Sequence, residues 1–153
     1  MGRGKGGYTA LEVSYRDSGG FKVKDDGSIF VGERYMDLGY EVVFRQRHNR
    51  KTYDLTIKTS DDIGYIKNIE VKRTTSTKPS RMAKNMEQGF KQVGKGGTVA
   101  IYLPHQTQCS LALKRINEAI DEARRKRWIK GPVEIWFKDK TKIEFNEEAI
   151  WLD

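Results

Sequence analysis

The sequence predicts one α/β (α+β) domain in which a mixed sheet is flanked by helices. Two segments space their apolar residues every three or four positions: Met82, Met86, Phe90 and Val93, then Leu113, Ile116, Ile120 and Ala123. That is the period of an amphipathic helix. Several short runs rich in β-branched and aromatic residues either alternate with period two or are continuously apolar, as strands do. Their order along the chain is helix, three strands, helix, strand, helix, strand, a pattern that closes as layers of helix on sheet. The 153 residues suffice for one hydrophobic core and not for two.

The elements follow in order. Residues 1–27 carry seven of the 15 glycines and read as a glycine-rich leading segment or linker, with the single domain over 28–153. Ile29 to Val31 and Met36 to Leu38 bracket a short helix that Gly39 closes. Residues 40–45 form a β-rich run, and a polar, basic turn leads to a second strand over 53–58. Asp61, Asp62, Ile63 and Gly64 signal a turn before a third strand over 65–73. After Pro79 a helix runs over 80–95 and breaks at Gly94 to Gly97. The near-continuous apolar run 98–103, ended by Pro104, fits a buried central strand. A helix over 110–128 ends before Gly131 and Pro132, and strands over 133–137 and 142–145 pair as a hairpin.

Composition narrows the function. Lys and Arg number 29 against 21 Asp and Glu, a formal net charge of +8. Aromatic residues at 10% argue against disorder, and no apolar run reaches the roughly 20 residues of a membrane span. The first ten residues contain no hydrophobic signal segment. A single cysteine, Cys109, excludes an internal disulfide framework and a thiolate zinc cluster, and two histidines, His48 and His105, argue against a multi-His metal centre. The remaining class is a basic domain with an anionic partner, of which nucleic acid is the commonest.

The second and third strands carry the chemistry. Strand alternation sets Tyr53, Leu55 and Ile57 on one side and Asp54 and Thr56 on the other; likewise Ile69 and Val71 oppose Glu70 and Lys72. A hairpin between these strands brings Asp54 beside Glu70 and Lys72. Two converging carboxylates suit a hard cation such as Mg²⁺ or Mn²⁺, and an adjacent lysine can orient water or offset charge on phosphate. The alternative is a solvated cross-strand ladder of ion pairs.

These residues resemble the PD-(D/E)xK nuclease superfamily, the fold of restriction endonucleases and Holliday-junction resolvases. Its signature, an Asp on one strand and Glu-x-Lys on the next, is matched by Asp54 and by Glu70, Val71 and Lys72. Tyr53 stands where the naming proline would be. The resemblance implies a restriction-endonuclease-like sheet. It also implies Glu33 as a further catalytic and metal-binding carboxylate beside Asp54 and Glu70, and a glutamine, Gln88 or Gln92, on the following helix. Among members the chain looks most like C-terminal toxin domains of contact-dependent growth-inhibition and related polymorphic toxin systems. That likeness implies an RNA-cleaving (tRNase) activity in the bacterial cytoplasm, delivery as part of a larger secreted or surface protein, and an acidic immunity protein as partner. The rivals are a DNA endonuclease or junction resolvase of the same fold and a non-catalytic nucleic-acid-binding module.

Arg81, Lys84, Gln88, Lys91 and Lys95 fall on one helix face, and residues 72–95 hold seven basic residues against one acid, Glu87. With Thr74 and Thr75 they are expected to grip backbone phosphates. Arg45, Arg47, Arg50 and Lys51, in the turn before Asp54, form a second basic cluster with the same expected role.

Overall fold

The computed structural model describes residues 26–44, 54–58, 66–94 and 96–146. Among them are three helices and six strands: α1 (Asp26–Asp37), β1 (Glu41–Phe44), β2 (Leu55–Lys58), β3 (Ile66–Arg73), α2 (Pro79–Val93), β4 (Thr98–Leu103), α3 (Ser110–Arg125), β5 (Val133–Phe137) and β6 (Lys142–Phe145). The strands form one mixed sheet in the order β1-β2-β3-β4-β5-β6. The first three are antiparallel, β3-β4 and β4-β5 are parallel, and β5-β6 is antiparallel. The expected α+β sheet is therefore the observed one.

Each face of the sheet has its own core. On one side Val31, Tyr35 and Met36 of α1 pack on Val42, Phe44, Leu55, Ile57, Ile69 and Val71, with Ala100 and Trp136. On the other, α2 and α3 bury Met82, Met86, Phe90, Ile116 and Ile120 against Val99, Ile101, Leu103, Ile135 and Phe137. Both helices cross between parallel neighbours that step the same way along the sheet, and right-handed crossovers of that kind put their helices on one face. No helix among the described residues is long and apolar enough to cross a membrane.

Local chemistry sets the boundaries. α1 runs from Asp26 to Asp37 and buries Gly27, Ser28, Val31, Tyr35 and Met36. Gly39 ends the helix at φ +95°, where Tyr40 N–H reaches back to the Tyr35 carbonyl at 3.1 Å. Pro79 opens α2, where its missing N–H costs nothing. The basic α3 stops at Arg125, three residues earlier than its pattern predicts, leaving Trp128 in the loop. Gly131 lies so close to Gly97 that a Cβ on it would come 2.3 Å from the Gly97 carbonyl oxygen. This contact joins the loops that enter β4 and β5.

Candidate active site

Asp54 stands one residue before β2, fixed to β3 through two bonds. Its N–H donates to the Ile69 carbonyl (3.0 Å), and its Oδ2 accepts from Val71 N–H (2.9 Å). The β2-β3 register pairs Leu55 with Ile69 and Thr56 with Asn68, whose side chains share a 3.2 Å hydrogen bond. Asp54, Thr56, Asn68, Glu70 and Lys72 thus occupy the face that carries α2, while the alternate residues pack under α1. Glu70 is completely buried and Asp54 is 6% exposed. The Lys72 ammonium lies 3.5 Å from Glu70 Oε2 and keeps about a quarter of its side-chain surface open (24%). The strand pairing therefore sets Asp54, Glu70 and Lys72 on neighbouring positions of one sheet face.

Glu33 does not join them. It sits on α1, across the sheet, where its carboxylate is 3.7 Å from Arg34. Among the described residues no three His, Cys, Asp or Glu side chains are grouped to hold a metal ion. Asp54 and Glu70 remain as two hard oxygen donors on one face. That set suits Mg²⁺, which binds through one or two carboxylates and keeps several waters.

The expected phosphate-binding residues divide. Arg81, Lys84 and Lys91 are exposed on α2, but Glu87 lies 2.8 Å from Lys84 and 3.5 Å from Lys91. The hydrogen bond from Lys84, with both positive charges, holds the Glu87 carboxyl below its usual range. Thr74 is buried and its Oγ1 accepts from Ser76 N–H at 3.2 Å in the turn into α2; Thr75 is exposed. Gln88 is exposed and Gln92 half-buried. Arg45, Arg47, His48, Arg50, Lys51 and Lys95 lie outside the described residues.

The sequence reading missed a second charged cluster, under α1. Glu134 on β5 is fully buried and accepts from Tyr35 Oη, Lys67 Nζ and, at 2.9 Å, Trp136 Nε1. Lys67 Nζ also donates to Tyr35 Oη at 2.8 Å. Burial pushes the Glu134 carboxyl up, but Lys67 and the Tyr35 hydrogen bond outweigh it, and the carboxyl falls below its ordinary value. Burial and the Glu134 charge raise the Tyr35 phenol well above its ordinary value. The available signal was a lone acid within Val133, Glu134, Ile135, Trp136 and Phe137, a strand with every residue buried.

No family model, no curated protein and no solved structure matches this chain.

Proposed function

We propose that this domain is a nuclease that hydrolyses phosphodiester bonds with Asp54, Glu70 and Lys72, assisted by a divalent cation. The observation that supports it is a pair of buried carboxylates, one just before β2 and one on β3, with a partly open lysine beside Glu70, on the sheet face next to a basic helix. The resemblance to PD-(D/E)xK nucleases supports it from the sequence side. Asp54 and Glu70 would hold Mg²⁺ or Mn²⁺, and Glu33 drops out of the set. Such a cation, when bound, polarises the phosphoryl group and makes water a stronger nucleophile. Lys72 orients the water and offsets the negative charge that grows on the phosphoryl oxygens as the water adds. As the water adds it releases a proton to solvent, the P–O bond to the leaving sugar oxygen breaks, and that oxygen takes up a proton from solvent. Thr75 and Arg81, at the head of α2, hold the backbone on either side.

RNA is the proposed polymer and an acidic immunity protein the proposed partner, both resting on the likeness to toxin domains. The test incubates the protein with total tRNA, rRNA and plasmid DNA, with Mg²⁺ or with EDTA, beside Asp54→Asn. RNA cleavage that needs Mg²⁺ and disappears in the variant is expected. Equal cleavage by Asp54→Asn overturns the assignment, and cleavage of plasmid alone moves it to the DNA enzymes. The complete burial of Glu70 against Lys72 favours one second reading, a non-catalytic nucleic-acid-binding module. Salt-sensitive binding with no cleavage under any metal selects it.

A further inference from the structure

The strongest unassigned feature lies at the far end of α2, around Trp128. The indole draws two ammonium groups over its ring, Lys126 at 4.8 Å and Lys84 at 5.5 Å from the centroid. Beside it is a shallow cleft lined by Glu87, Phe90, Lys91, Arg127, Trp128 and Lys130. Five cations gather here against two carboxylates, Glu87 and Glu122, the latter 3.0 Å from Lys126. Arg127 and Lys130 are exposed and have no ion-pair partner among the described residues.

The backbone fixes where these side chains sit. Arg127 occupies φ +60°, the left-handed position that ends α3, with its N–H on the Arg124 carbonyl and Trp128 N–H on the Ala123 carbonyl, both at 2.9 Å. Glycine is the residue that adopts this conformation without penalty. The Gly131–Gly97 approach and the bond from Gly96 N–H to the Lys130 carbonyl (3.2 Å) pin the loop that carries Lys130.

We infer that this cleft is a second phosphate-backbone site for single-stranded nucleic acid, in addition to the contacts proposed at the head of α2. The inference rests on the nucleic-acid reading above and extends it by giving the strand a path. Trp128 organises Lys84 and Lys126, and Lys91, Arg127 and Lys130 complete the anion-binding rim. Lys91 stands roughly 18 Å along α2 from Pro79, at about 1.5 Å per residue. A stacked strand covers that length in about five nucleotides at about 3.4 Å each. Strands shorter than this engage the cleft or the head of α2, and longer strands engage both.

The test measures binding in EDTA of fluorescein-labelled single strands of about three and about 15 nucleotides, sized on either side of that span. The native protein is compared with Arg127→Gly/Lys130→Ala. The double variant is expected to bind the long strand about tenfold more weakly. Its salt dependence should be shallower by about 1.4 in log–log slope, two phosphates at about 0.7 each. Its thermal midpoint should not fall, because glycine suits the position. Unchanged affinity and slope overturn the proposal. Native-like strand binding with lost retention of poly-glutamate also overturns it, in favour of an acidic protein surface. A protein that holds the strand through the cleft yet never cleaves it refutes hydrolysis alone. One that cleaves while the double variant binds normally refutes the cleft alone.

Discussion

Two lysine–carboxylate pairs lie back to back across the same sheet, and they are built differently. Under α1, Glu134 receives Tyr35, Lys67 and Trp136, so a fully buried charge is compensated from three directions. On the α2 face, Glu70 lies 3.5 Å from a Lys72 that still reaches solvent, with Asp54 tied to the strand backbone alongside. A buried charge is tolerated when paired and hydrogen-bonded on all sides, and such closure leaves nothing for a ligand. The closed cluster reads as architecture, while the α2-face pair keeps a solvent-facing lysine, the group that the proposed hydrolysis uses. Burial alone does not separate them, since both glutamates are fully covered.

The largest expected effect falls on the α2 face. Asp54→Asn and Lys72→Met should each lower cleavage by about 10³-fold, the scale of losing a group that acts on the transition state, while moving the thermal midpoint little. Asparagine is the informative choice at position 54 because Oδ1 can still accept from Val71 N–H. Asp54→Ala would orphan that donor and cost about 1–3 kcal/mol. Comparable cleavage by the native protein and by both variants would break the contrast.

Next comes the α1 face. Glu134→Ala should destabilise the fold by about 3–5 kcal/mol, read by urea unfolding, because it strands Lys67 in the interior. Cleavage per folded molecule should stay at the native level. A specific loss of cleavage at full stability would mean that the roles of the two clusters are reversed.

The pH dependence tests the same cluster more gently. The Glu134 carboxyl lies below its ordinary 4.5, so its stabilisation is whole above about 4.5 and is lost as pH falls through the lower folded value. The Tyr35 phenol is raised above its ordinary 10.0, so the unfolded chain releases that proton first, and stability declines as pH climbs past about 10. Thermal unfolding across pH should show both limbs, and Glu134→Gln should flatten the acid one. The smallest effect is expected at Thr56→Val, which removes the bond to Asn68 and costs about 1 kcal/mol. A cost above that of Glu134→Ala would contradict the assignment of stability to the α1 face.

Local periodicity made most of the fold legible. The alternation of Leu55 and Ile57 against Asp54 and Thr56 assigned the faces correctly, and Met82, Met86 and Phe90 gave the buried side of α2. The Glu134 cluster was not legible because its partners are far away in sequence: Lys67 is 67 residues distant and Tyr35 is 99. Glu33 was placed by resemblance, and nothing local reveals that α1 packs on the face opposite Glu70. The pairing of Glu87 with Lys84 and Lys91 was within reach, since steps of three and four are helical neighbours. The count of charges hid it. The burial of Thr74 in the turn was not legible because composition does not distinguish a turn-forming threonine from an exposed one.

β3 belongs to both clusters: Lys67 points to one face, Glu70 and Lys72 to the other. A slip of one residue against β2 or β4 would turn Lys67 into the α2 side and thrust both acid and base of the other cluster into the apolar layer under α1. The bond between Lys67 and Glu134 therefore works as a registration pin. By locking the strand against a partner two places along the sheet, it sets where Glu70 and Lys72 stand relative to Asp54, so an ion pair on one face fixes the spacing of side chains on the other.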